Sequence, residues 1–181
     1  MRRGQRNLET IMRFDLHAGF TVKEQDVFDE VLTQAYRRMH RYSCAEASLQ
    51  ALLTLWDLPR EGNSWATAGY MGAISSGQTT CGLLIGSSIA IGLRCGQGKK
   101  EIPEEHESER GKAILTVEEL YGDFLKRFGS TECKTLNQGT NFSNQEEMIQ
   151  WAVDKRYKQT CDVFLKFVFE KCVKMAEGGK T

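Results

Sequence analysis

The sequence predicts an all-α fold, a compact multi-helix bundle with short connections. Only two prolines, Pro59 and Pro103, interrupt 181 residues. Apolar residues recur at the three- and four-residue spacing of a helix rather than in the alternation of a half-buried strand. Hydrophobic residues make up 40% and charged residues 27% of the chain, as in folded globular proteins. We expect one helical domain over residues 22–176, a partly ordered N-terminal extension over 1–21 and a frayed tail over 177–181.

The first third of the domain predicts two amphipathic helices. Residues 22–41 carry one apolar stripe at helical spacing. That stripe consists of Phe28, Val31, Leu32, Ala35 and Met39. A second helix should begin at Ser43, because Ser43 and Glu46 form the S-x-x-E pattern of a capping box. It should end before Pro59, since the residue that precedes a proline avoids helical geometry.

The middle of the chain predicts a helical hairpin. A short helix of small residues is expected over 65–74, and a break at 75–77 leads into an apolar helix over 79–95. The apolar run 82–93 is well short of the roughly 20 residues that span a membrane, so it indicates a buried helix. The charged stretch 96–110 should form a solvated loop and the exposed start of the next helix.

The C-terminal half predicts two long helices and two short ones. Apolar residues from Ile114 to Phe128 mark a long helix that should stop at Gly129. A short turn or helix is expected over 130–136, and Ser143 with Glu146 predicts a second capping box. The last helix carries one apolar face, formed by Cys161, Leu165, Val168, Cys172 and Met175.

Charge and motifs exclude several classes of protein. Lys+Arg and Asp+Glu both number 24, so the chain lacks the positive charge expected of a nucleic-acid binder. Glu9 and Asp15 interrupt the basic N-terminus and no apolar run follows, so we expect neither export nor membrane insertion but a cytoplasmic protein. No hydrolase or kinase motif stands out. A domain with this many apolar helix faces often leaves one of them exposed to solvent. A second copy of the chain could cover that face, so a homodimer is plausible.

The six cysteines divide into two kinds. Four have Ser or Thr within the three preceding positions, where a helix could begin: Cys44, Cys81, Cys133 and Cys161. At a helix start, unpaired N–H groups and the helix dipole can lower a thiol pKa from about 8.5 toward roughly 3.5 to 7.5. These four are candidate redox thiols or metal ligands, with inert burial as the alternative. Cys95 and Cys172 are expected to be small buried hydrophobic residues.

The segment TTCGLLIGSSIAIGL, residues 79–93, places Gly82 directly after Cys81 and Gly86 four residues later. This motif resembles the glycine–cysteine motif of the C_GCAxxG_C_C family of redox-active proteins. The family's cysteine order is also present, as Cys44, Cys81, Cys133 and Cys161, and FGSTECKTL resembles its segment around the third cysteine. The chain departs where Cys81-Gly82 replaces glycine then cysteine, and where Leu83 replaces alanine. The resemblance covers roughly residues 24–175 and implies redox activity with an unidentified partner protein.

Electrostatics limits what four converging thiols could do. Four thiolates packed together repel, so something must neutralise them. We favour an iron–sulfur cluster for electron transfer, as in an oxidoreductase component, because four ligands from four helix starts suit a buried redox centre. A helical domain of the split-Soret cytochromes c looks similar and suggests such a centre, although this chain has no C-x-x-C-H motif for haem. The alternatives are thiol–disulfide chemistry, and a non-catalytic module with a four-cysteine zinc site or no metal.

The glycines of the motif have two interpretations. Gly82 could let the backbone approach a cluster and donate an N–H group to it, so Gly82 and Gly86 are candidate cofactor-binding residues. Alternatively, their Gly-x-x-x-Gly spacing lets two helices pack closely, with Gly69 and Gly72 as the opposing surface. The three histidines are expected to be surface or capping residues: His17, His40 and His106.

Overall fold

The computed structural model describes residues 22–99 and 102–178, and this part of the chain contains eight α-helices. No strand occurs among these residues, so the predicted all-α class is confirmed. The helices are α1 (Val22–Met39), α2 (Cys44–Leu55), α3 (Tyr70–Ser75), α4 (Gly82–Cys95), α5 (Glu107–Phe128), α6 (Cys133–Leu136), α7 (Gln145–Val153) and α8 (Cys161–Gly178). The expected extension 1–21, which includes His17, and residues 179–181 of the expected tail lie outside the described residues.

Helices α1 and α2 form as their local signals predict. The α1 stripe is buried at Phe28, Val31, Leu32 and Ala35. At the start of α2, the Glu46 N–H donates to Ser43 Oγ at 3.1 Å, and the Ser43 N–H donates to Glu46 Oε2 at 2.9 Å. Both halves of the capping box are therefore present, and α2 ends before Pro59.

Helix α4 lies at the centre of the fold and packs against α2, α5 and α8. A Cβ atom on Gly86 would lie 2.2 Å from the Ala45 carbonyl oxygen, so α2 and α4 touch backbone to backbone. The prediction that Gly69 and Gly72 form the opposing surface is wrong, because a Cβ on either would meet nothing within 4 Å. The opposing surface comes from α2. None of the described helices is long and apolar enough to cross a membrane.

An aromatic cluster joins α5 to α8. The Phe124 ring is fully buried, and its centroid lies 4.7 Å from that of Phe128 and 5.7 Å from that of Phe164. Helix α5 starts at Glu107 after a 3-10 turn over Pro103–Glu105, and it ends at Gly129, whose φ of 78° suits a glycine. The aromatic cluster therefore belongs to the core, where helical spacing places it.

Three local predictions need correction. The helix expected over 65–74 is shorter, comprising a 3-10 turn at Asn63–Trp65 and then α3. Helix α7 is capped by Asn144 and not by Ser143, because the Asn144 side chain accepts the N–H groups of Glu146 and Glu147 while the Ser143 hydroxyl donates to Asn141. Cys95 is half-buried rather than buried, since it lies at the exposed end of α4. Cys172 is buried as predicted.

Candidate thiol site

The four candidate cysteines each lie where a helix begins. Cys44, Cys133 and Cys161 are the first residues of α2, α6 and α8, and Cys81 is the residue immediately before α4. The predicted placement at four helix starts is therefore confirmed. Cys81 is buried and the other three are half-buried. These four residues are referred to below as the thiol site.

The hydroxyl residues before these cysteines act less uniformly than predicted. Ser43 caps α2 with its side chain. The N-cap of α4 is Cys81 itself and that of α6 is Glu132, and neither makes a side-chain capping bond. The Thr160 hydroxyl binds Asn137 Oδ1 at 2.9 Å and the Arg156 carbonyl oxygen at 3.1 Å. The prediction of hydroxyl caps is wrong at these three helices, because backbone pairing or a side-chain network positions the chain instead.

Backbone pairing brings Cys81 and Cys133 together. An isolated antiparallel bridge joins Thr80 to Glu132. The Cys81 N–H donates to the Thr131 carbonyl at 2.7 Å, and the Cys133 N–H donates to the Thr79 carbonyl at 2.9 Å. These two hydrogen bonds form a clamp between residues 79–81 and 131–133. The clamp holds the N-terminal ends of α4 and α6 side by side, although the whole of α5 separates them along the chain.

Close packing of α2 on α4 adds Cys44 to the site. A Cβ atom on Gly82 would lie 2.4 Å from Cys44 Sγ, so only glycine leaves room for that sulfur. The backbone N–H groups of Gly82 and Ala45 act to lower the pKa of the Cys44 thiol, and that of Leu83 acts to lower the pKa of Cys81. N–H groups at two helix starts thus favour negative charge on two of the four sulfurs.

Asn137 connects Cys133 to Cys161. Its Nδ2 lies 3.8 Å from Cys133 Sγ, and its Oδ1 accepts the Cys161 S–H at 3.6 Å. The Asn137 side chain is only 2% exposed. The sequence gives no indication of this role, because an asparagine at the start of a polar loop shows no sign of burial. Its spacing of four residues from Cys133, one helical turn, is the only signal that points to it.

Tyr70, at the start of α3, completes the surroundings of the thiol site. Its hydroxyl group donates to the Thr80 carbonyl and lies 2.6 Å from Thr79 Oγ1. Burial raises its pKa to about 12, and negative charge on Cys44, Cys81 and Cys133 makes a smaller contribution to that rise. This ring therefore lies within electrostatic range of three of the four sulfurs, and nothing in the sequence indicates its role.

Burial dominates the electrostatics of the thiols. It raises the pKa of Cys133 to about 11 and that of Cys161 to about 12, and it raises those of Cys44 and Cys81 as well. Repulsion between charged sulfurs adds to the rise in pKa at Cys44, Cys81 and Cys161, whereas backbone N–H groups oppose the rise at Cys44 and Cys81. The prediction that helix starts lower these pKa values is wrong, because desolvation outweighs the helix termini. In the metal-free chain the thiols are protonated at neutral pH.

The paired backbone at Cys81 and Cys133, the contact of Gly82 with Cys44 and the Asn137 amide bring the four cysteines into one region. Within residues 22–99 and 102–178, however, no group of three or more His, Cys, Asp or Glu side chains is arranged to hold a metal ion. The iron–sulfur and zinc hypotheses therefore stay predictions. His40 lies at the surface, with Nε2 3.8 Å from Asp162 Oδ1, and His106 occupies the N-cap position of α5.

Comparison with known proteins identifies one family. The family model described as "Putative redox-active protein (C_GCAxxG_C_C)" matches residues 42–175. The matched span begins just before α2 and ends within α8, so it contains the whole thiol site as well as Asn137 and Tyr70. No curated protein and no solved structure matches the chain.

Proposed function

Because the chain belongs to the C_GCAxxG_C_C family of redox-active proteins, we propose that the thiol site is its redox centre and ligates an iron–sulfur cluster for electron transfer. The observation that carries this proposal is the gathering of four sulfurs in one largely desolvated region, each from the start of a different helix. Four thiolates are the usual ligand set of [2Fe–2S] and [4Fe–4S] clusters. When bound, such a cluster would supply a reversible one-electron couple.

The surroundings of the sulfurs suit that ligand set. Desolvation and mutual repulsion disfavour four free thiolates, so ligation requires positive charge in their midst and releases the thiol protons. The backbone N–H groups of Gly82 and Ala45 act to lower the pKa of Cys44, and that of Leu83 the pKa of Cys81; donors of this kind stabilise negative charge on sulfur and raise a reduction potential. The absence of a side chain at Gly82 leaves room for Cys44 Sγ.

Purification without air tests the cluster proposal. We expect broad visible absorption, and iron with acid-labile sulfide by chemical analysis. Cys81→Ser should lose most of this iron because it removes a ligand, whereas Cys95→Ser, a half-buried cysteine outside the site, should retain it. A colourless, iron-free chain that cannot be reconstituted with iron and sulfide would refute the proposal. Zinc without sulfide would indicate the structural metal site instead.

A second candidate function is thiol–disulfide exchange, favoured by the amide of Asn137 between two thiols. Cys133 and Cys161 lie on either side of that amide. Oxidation of two thiols to one disulfide would transfer two electrons and two protons to a disulfide of a partner protein. Thiol counting and peptide mapping in oxidising and reducing buffers test this function. If no two of the four cysteines pair under oxidation, thiol–disulfide exchange is excluded.

A further inference from the structure

Among the described residues, the Asn137 side chain forms hydrogen bonds to two sulfurs of the thiol site, those of Cys133 and Cys161. Its amide has a donor end and an acceptor end, and the two ends face different sulfurs. We propose that Asn137 is a positioning residue that makes these thiols unequal, so that Cys133 is the more nucleophilic sulfur and Cys161 the less. This inference rests on the proposed redox role of the thiols.

The orientation of the amide follows from its neighbours. Nδ2 lies 2.9 Å from the Cys133 carbonyl oxygen, which can only accept a hydrogen bond. The amino group must therefore face Cys133, because the opposite orientation would bring two oxygens together. On the other side, Oδ1 accepts from the Thr160 hydroxyl at 2.9 Å. The backbone is held as well, since Arg156 Nη2 donates to the Asn137 carbonyl at 3.3 Å.

The two sulfurs consequently meet opposite partners. Cys133 Sγ faces an N–H donor, which stabilises negative charge on that sulfur. Cys161 Sγ faces an acceptor, which retains the thiol hydrogen. The Thr160 hydroxyl lies 3.9 Å from Cys161 Sγ, but its single hydrogen is shared with Asn137 Oδ1 and the Arg156 carbonyl. Removing Asn137 would leave this hydroxyl freer to donate to Cys161.

Alkylation of the metal-free full-length chain measures the difference in reactivity between the Cys133 and Cys161 thiols. Iodoacetamide forms a sulfur–carbon bond with each thiol as iodide leaves and the thiol proton passes to the buffer. Peptide mass spectrometry over time then gives separate rates for Cys133 and Cys161 at one pH. We expect Cys133 to react faster. In Asn137→Leu the ratio of the two rates should fall about tenfold or more, the scale of one hydrogen bond to a charged group.

A second variant and a control separate this role from simple loosening of the fold. Asn137→Asp keeps the size of the side chain but replaces the donor facing Cys133, so the ratio should again fall. Asn144→Ala removes the cap of α7 in the neighbouring segment and no contact to sulfur, so both thiols should keep the wild-type ratio. A merely structural role of Asn137 would expose both thiols and raise both rates together.

The result that overturns the inference is a wild-type ratio in both Asn137 variants. Iron and sulfide are measured on the same variants after reconstitution, which keeps the two proposals separate. A chain that takes up no iron but shows the expected change in ratio refutes the cluster alone. A chain that takes up iron but keeps the wild-type ratio in both Asn137 variants refutes only the role of Asn137.

Discussion

Replacing Gly86 by alanine should destabilise the protein through the contact between α2 and α4. The added Cβ would lie 2.2 Å from both the Ala45 carbonyl oxygen and Ser48 Oγ. The serine hydroxyl can rotate, but the carbonyl belongs to the α2 backbone, which would have to move by roughly 1 Å to restore normal C···O contact. Overpacking of this kind costs about 1–3 kcal/mol. Alanine recovers about 1 kcal/mol through helix propensity, so we expect a net loss of about 1 kcal/mol.

Gly92→Ala is the matched control in the same helix. A Cβ atom at Gly92 would meet nothing within 4 Å, so only the gain in helix propensity applies, about 0.5–1 kcal/mol. The two variants should then differ by about 2 kcal/mol in free energy of unfolding, the overpacking cost alone. For a chain of this size that is roughly 4–8 °C in Tm, measured by thermal and urea denaturation followed by circular dichroism. If Gly86→Ala is as stable as Gly92→Ala, the close approach of the two backbones is wrong.

Three further predictions concern the thiol site and the residues that pack against it or cap its helices. Gly82→Ala should displace Cys44 Sγ, because the new Cβ would lie 2.4 Å from it, and should lower the iron content of reconstituted protein; unchanged iron per chain would contradict this. Since burial raises the pKa of Cys133 to about 11 and of Cys161 to about 12, the folded metal-free chain holds these protons more tightly than the unfolded chain. Its free energy of unfolding should therefore be unaffected by these thiols below about pH 8 and fall as the pH rises from about 9 to 12, by up to about 1.4 kcal/mol per pH unit for each thiol. A variant with serine at all four cysteines should show a shallower decline, since Cys172, whose pKa burial also raises to about 12, keeps its own contribution; equal curves would count against this prediction. Ser43→Ala should cost about 1 kcal/mol in urea denaturation by removing the α2 cap, and a wild-type midpoint would show that the capping box adds nothing.

Local signals explain why much of the fold could be predicted from the sequence. The α1 stripe from Phe28 to Ala35 and the capping box of α2 depend on residues within one or two helical turns of each other. The placement of the cysteines at helix starts is equally local. Where two capping residues compete, as Ser143 and Asn144 do, the sequence pattern could not decide, because both are good caps one residue apart.

Properties that depend on the assembled fold could not be predicted. The partner of Gly86 is α2 and not the glycines of the preceding helix, because the path of the chain decides which helices meet. The direction of the thiol pKa shifts also depends on assembly, since burial in the folded chain outweighs the effect of each helix terminus. Asn137 and Tyr70 acquire their roles only once distant segments converge on them.

The clamp between residues 79–81 and 131–133 has a consequence for biosynthesis. The two backbone segments cannot pair until α5 has been synthesised and packs against α4. Cys161 arrives later still, with α8, so a ribosome-bound chain lacking that helix offers an incomplete set of sulfurs. A cluster of the kind proposed for the thiol site could accordingly be assembled only after translation has passed α8.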